Sequence, residues 1–188
     1  MKYTILILAL VALCSMTPLE RTVTLEHENQ ARSTVINVGE GFFLGAGHCA
    51  AHGIDLFING NLVEVRDWSE EPDWAIFYSE FYADAPVVET APIIPGEVCY
   101  WFRDGEKYEA IFDLVYSDGT WEFHGEVPIA GDSGTGVFNA DDELVAIVVA
   151  SITCSGDKHP PRGLATAVLG LIDQETPKVQ PTPPQGGG

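Results

Sequence analysis

Basic residues are scarce in this chain: lysine and arginine number 9 against 28 aspartates and glutamates, for a formal charge of -19. Such a surface repels phosphate backbones and anionic bilayers, so nucleic acid is not an expected partner. No CxxC pair occurs, which removes the usual spacing of a structural zinc site, and neither a metal nor a cofactor is expected. Past the first residues no stretch is apolar enough to cross a bilayer, which takes roughly 20 residues. A sustained helical period is missing as well. What the chain does have is 46% apolar residues, enough for a real core.

The opening, MKYTILILALVALCSMTP, carries one lysine, an apolar run from Tyr3 to Leu13, then small residues and a proline. That order predicts a secretory signal peptide over residues 1–16, cut between Cys14 and Thr17. The mature chain is then expected outside the cytoplasm, secreted or periplasmic in a bacterium, with no stable membrane insertion. Loss of Cys14 leaves Cys49, Cys99 and Cys154, an odd number that fits one disulfide and a free thiol or three buried thiols.

Between Thr22 and Thr166 the apolar residues fall into short runs rich in valine, isoleucine and aromatics: STVINV, FFLGAG, DLFI, LVEV, WAIFY, VCYWF, YEAIFDLVY, WEFHGEV, GVFN and LVAIVVASI. NGN, DG, SDG and NADDE lie between them as hairpin signals. The pattern predicts an all-β protein of closed antiparallel barrels. The proline-spaced ADAPVVETAPIIPGE, about residues 84 to 96, reads as the crossing between two halves. The expected domains are an N-terminal barrel over 17–90 and a C-terminal barrel with a short helix over 91–175. The helix is placed in ATAVLGLIDQE, and 176–188 form a proline- and glycine-rich tail too polar to pack.

GDSGTGVF, residues 131–138, sets Ser133 between Asp132 and Gly134. A serine hydroxyl is a weak nucleophile until a base takes its proton. Of the five histidines, His48 follows the apolar strand FFLGAG directly, which fixes its backbone at a strand end; His27, His52, His124 and His159 have no such setting. The imidazole also needs an acceptor on its other nitrogen. Asp73 opens the apolar run DWAIFY and is the best candidate, with Asp67 as runner-up among other charges.

GAGHCA, DWAIF and GDSGTGVF, in that order, resemble the three signature blocks of the chymotrypsin-like (trypsin-like) serine endopeptidases, over about Ser33 to Asp173. The chain is similar to the compact bacterial, phage and viral relatives of that family. The resemblance implies two six-stranded β-barrels and peptide-bond hydrolysis on protein or peptide substrates. It makes His48 the general base, Asp73 its orienting carboxylate and Ser133 the nucleophile. The N–H groups of Gly131 and Ser133 become the oxyanion hole. Val149, Ala150 and Ser151 then lie along the substrate backbone. Val127, six residues before the nucleophile, falls at the base of the primary pocket, where the absence of an acid argues against a preference for arginine or lysine.

The chain also departs from the family pattern. No activating amino terminus is recognisable to pair with Asp132, which therefore needs another partner: His124, a lysine or an arginine. Cys49 has no cysteine opposite it near Ser33; Gly47 stands where alanine is usual, and Thr135 replaces a glycine. Two rival readings remain. HCAAH puts His48 and His52 at metal-ligand spacing, but a metalloprotease helix has glutamate where Cys49 stands. A catalytically inactive binding module on the same fold would keep all three blocks, and oligomeric state is open.

Overall fold

A computed structural model describes residues 16–50, 54–152, 161–169 and 171. Nearly all of the expected signal segment, with Cys14, His52, Cys154, His159 and the polar tail, lies outside them. One short helical turn, α1 (Pro18–Arg21), is capped at Thr17, whose side chain and that of Glu20 bond reciprocally to each other's backbone N–H. It leads into β1 (Thr22–His27), followed by β2 (Arg32–Gly39), β3 (Phe42–Gly45), β4 (Leu56–Ile58), β5 (Asn61–Glu70) and β6 (Asp73–Tyr78). These six close into an antiparallel barrel in the order β1-β2-β3-β6-β5-β4. The second barrel comprises β7 (Val98–Arg103), β8 (Glu106–Val115), β9 (Thr120–Gly125), β10 (Gly136–Phe138), β11 (Leu144–Ile152) and β12 (Arg162–Ala167). Its order is β10-β11-β12-β9-β8-β7, the same weave as the first.

The local chemistry explains the hairpins. NGN turns between β4 and β5 with Asn59 at φ 51° and Gly60 at φ 77°, and DG turns between β7 and β8 with φ 52° and 82°. Two successive positive φ values match the right-handed twist of the strands they join. Alternating side chains then fill each interior. Leu25, Ile36, Phe43, Leu56, Ile58 and Phe77 are fully buried in the first barrel, and Trp101, Phe112, Phe123, Val137 and Val148 in the second.

Two elements differ from the sequence reading. β1 is a strand although TVTLEH carries charge; it pairs with β2 on one side and β4 on the other, so its backbone is satisfied whatever its outer face holds. At the other end, Ala165–Ala167 were expected to start the C-terminal helix but belong to β12, hydrogen-bonded to both β9 and β11. Gly163, earlier in the same strand, is there for packing: a Cβ on it would come within 2.1 Å of the Phe123 ring, which lies directly across from it. From residue 172 onward the expected helix lies outside the described residues.

The crossing chain, between β6 and β7, is pinned to both barrels. Val88 N–H donates to Val38 C=O, and the peptides of Glu89 and Ala91 pair with Leu144. Arg21 is 5% exposed and its guanidinium donates to the carbonyls of Asn37, Pro86 and Val87. With no carboxylate among those partners, burial alone pushes its pKa below the ordinary arginine value.

Candidate active site

The first barrel supplies an imidazole–carboxylate pair. β3 ends at Gly45, and the chain tightens into a single 3-10 turn, Gly47–Cys49, that swings His48 out over the start of β6. Asp73, the first residue of β6, grips it twice. One carboxylate oxygen accepts the His48 backbone N–H at 2.9 Å and the other meets Nδ1 at 2.7 Å. The close approach explains Gly47: a Cβ there would sit 2.1 Å from Ser69 C=O and 2.8 Å from the Asp73 carboxylate. Alanine, usual in the resembling family, does not fit this turn.

The imidazole stays half exposed, at 51% for the side chain against 22% for Asp73. Its pKa is pushed up from 6.5 to about 10, chiefly by the Asp73 hydrogen bond and next by the neighbouring Cys49 sulfur, with partial burial pulling the other way. An ordinary histidine would lose its proton near pH 6 to 7; here the carboxylate keeps the imidazolium to higher pH. Asp67, the runner-up, accepts the backbone N–H of Trp68 in β5 and takes no part in the pair.

The second barrel supplies the hydroxyl. Ser133 stands in the loop before β10, and its backbone is strapped to the first barrel: Thr34 N–H donates to Ser133 C=O at 2.9 Å, and Thr34 Oγ1 donates to Gly131 C=O at 2.8 Å. Gly134 lies at φ 88°, and a Cβ on it would fall 1.9 Å from Thr34 C=O, so only glycine passes this crossing of the barrels. Gly131 is at φ 101° with open space where a Cβ would go. Among the described residues, the N–H groups of Gly131 and Ser133 have no protein acceptor, whereas those of Asp132, Gly134 and Thr135 do.

Ser133 Oγ donates to Val149 C=O at 3.3 Å, not to His48. Val149 belongs to the half of β11 that has outrun its neighbour: β10 pairs no further than Gly136 with Ile147, while β12 continues alongside Ala150, Ser151 and Ile152. One edge of Val149–Ser151 is thus left unpaired by strands among the described residues. Ala150 and Ser151 are exposed. Val127 is half-buried, and its carbonyl accepts from Arg103 Nη2 at 2.9 Å.

Several site residues escaped the sequence reading. Thr34 is one; Thr166 is another, its hydroxyl donating at 3.1 Å to the Asp73 carbonyl and so tying β12 to β6. The third is Arg103, which answers the question of Asp132: its guanidinium bonds both carboxylate oxygens, at 2.7 to 3.2 Å. The other candidate, His124, faces Asp113 instead, at 3.2 Å. Cys49 and Cys99 are buried free thiols in separate core clusters.

No family model matches this chain, and no curated protein matches it in sequence. Solved structures do match it in shape. The inactive form of the Rv3671c protease of M. tuberculosis superposes with a TM-score of 0.60 at 14% identity, over 82% of this chain and 86% of that one. The MamO protease domain of Magnetospirillum magneticum gives 0.62 at 13% identity, over 82% and 95%. Shared barrel order and this superposition give one conclusion: the chain has the two-barrel, chymotrypsin-like serine protease fold.

Proposed function

We propose that this chain is a serine endopeptidase, exported from the cell, in which Ser133 is the nucleophile, His48 the general base and Asp73 its orienting carboxylate. The observation that carries the reading is the double grip of Asp73 on His48. With Nδ1 committed to the carboxylate, Nε2 is the nitrogen left to accept a proton, which is the tautomer that general-base catalysis by this histidine requires.

The steps follow from the groups present. A peptide adds as a strand along the open edge at Val149–Ser151, and its backbone N–H groups compete for the carbonyl that holds the Ser133 hydroxyl. Released, the hydroxyl turns to His48. Oγ adds to the scissile carbonyl carbon as Nε2 takes its proton, and the negative oxygen is received by the N–H groups of Gly131 and Ser133. Each such donor is worth about 3 to 4 kcal/mol of barrier. Collapse breaks the C–N bond while His48 returns the proton to the departing amine. Water then attacks the acyl ester, losing its proton to His48, and Ser133 recovers its hydrogen as the acid leaves. Val127 contributes no acid to the primary pocket, which favours small or medium apolar side chains over arginine or lysine.

One observation favours a second reading, a catalytically silent binding module: the hydroxyl rests on Val149 and not on His48. Hydrolysis of a peptide pool, compared across wild type, His48→Ala and Ser133→Ala, separates the two. The protease reading expects cleavage by the wild type and none by the variants. Peptides bound but never cut by the folded wild type would favour the module.

A further inference from the structure

The strand pairing of the second barrel draws one row of residues from its core to the open edge. Residues directly opposite in an antiparallel ladder send their side chains to the same face. Phe112 of β8 pairs with Phe123 of β9, Phe123 with Gly163 of β12, and Gly163 with Ser151 of β11. Phe112 and Phe123 are both 0% exposed in the core cluster, so the shared face is the inside of the barrel. Ser151, at the other end of the row, is exposed and belongs to the Val149–Ser151 edge. The inner face is therefore open to solvent beside Ser151 and closed at Phe123.

Phe123 leans toward that opening. A Cβ built on Gly163 would lie 2.1 Å from its Cζ and 2.4 and 2.5 Å from its two Cε atoms. These are the far atoms of the ring, so the phenyl reaches off its own strand and covers Gly163, pointing across β12 toward Ser151. Behind it stand the ring of Phe112, 5.5 Å away, and the buried Val137, Val148 and Ala165 of the same cluster. The space above Gly163 is occupied by the protein's own side chain.

A peptide strand laid along Val149–Ser151 continues the ladder, so every second side chain of it falls on this inner face. The residue whose carbonyl meets Ser133 is one of these, because Ser133 Oγ rests on Val149 C=O, two positions from Ser151. A long side chain there has to push aside a phenyl ring packed on all sides, which a close-packed interior resists.

We infer that Phe123 floors the primary pocket and admits only a short side chain: the substrates are peptides with glycine, alanine or serine on the acyl side of the cleaved bond. The inference rests on the protease reading above and narrows the substrate of that site.

The test is cleavage by the full purified chain of peptides that differ only in the residue ahead of one bond: glycine, alanine, serine, leucine, phenylalanine or arginine. Wild type is compared with Phe123→Leu and Phe123→Ala, and circular dichroism establishes folding for each. Labelling of Ser133 by a small fluorophosphonate is read beside it, since that reagent does not probe pocket depth. Wild type should cut after the small residues with a kcat/KM about 100-fold or more above that for leucine, phenylalanine and arginine. Either folded variant should raise kcat/KM for leucine by about 10-fold or more while Ser133 labels at close to the wild-type rate. A wild type that cuts best after leucine, phenylalanine or arginine overturns the inference, and that outcome needs no variant to fold. Folded variants whose preference matches the wild type overturn it as well, and in both cases the protease reading stands. A folded wild type that is neither labelled nor able to cut any of the peptides overturns the protease reading, and the inference with it.

Discussion

Each barrel contributes one acid paired with one base to this site, and the two pairs are built differently. His48–Asp73, from the first barrel, leaves the imidazole half in water. Arg103–Asp132, from the second, is nearly sealed, with side chains 14% and 7% exposed. The open pair can exchange a proton with a substrate and with solvent; the closed pair, built on a guanidinium that stays charged, can only hold shape. Of the two pairs, the first barrel's is open to proton exchange, and the second barrel's braces the loop that carries Ser133.

The comparison can be broken by mutation. Asp73→Asn keeps the shape of the open pair but removes its charge and offers His48 the wrong partner; kcat should fall roughly 10,000-fold, read by steady-state kinetics, with little change in melting temperature. The closed pair should behave in the reverse way. Removing one member with Arg103→Met or Asp132→Asn strands a buried charge or an unpaired guanidinium, at a cost of about 3 to 5 kcal/mol in denaturant unfolding. His48→Ala, by contrast, should change stability by no more than about 1 kcal/mol, because an exposed pair is screened.

Two further tests sharpen it. Thr34→Val removes the hydroxyl bonded to Gly131 C=O; about 1 kcal/mol of stability and a several-fold drop in kcat are expected, since the loop loses one of its two bonds to Thr34 and keeps the backbone one. The last is a pH trend. Because His48 is raised above 6.5, its base form grows as pH climbs toward about 10, so kcat/KM should still be rising well above pH 7. Stability moves oppositely: a raised pKa contributes stability that is complete below about 6.5 and is lost as pH rises through the folded value. Asp73→Asn should bring the activity limb down toward that of an ordinary histidine and remove this stability trend.

The candidate site was legible where its residues sit beside their own structural signals. His48 follows an apolar strand, Asp73 begins one, and Ser133 lies among glycines that the backbone requires, so short blocks in order carried all three. Arg103 carried no such signal: it bonds a residue far along the chain, and only the packing of the β7–β8 hairpin against the nucleophile loop brings them together. Thr34 was hidden for the same reason, lying inside a strand that reads as ordinary β sequence. In the fold, the hairpins were legible from turn chemistry, while β1 and the extent of β12 were not. β1 has too much charge for an apolar-run criterion, and Gly163 of β12 answers to the Phe123 ring on the adjacent strand β9, a contact that no local window contains.

The most direct measurement is the intact mass of the folded chain after fluorophosphonate treatment, beside Ser133→Ala. An activated serine predicts a single adduct on the wild type and none on the variant. No adduct on a folded wild type, or an adduct that survives in Ser133→Ala, would contradict the assignment of Ser133 as nucleophile.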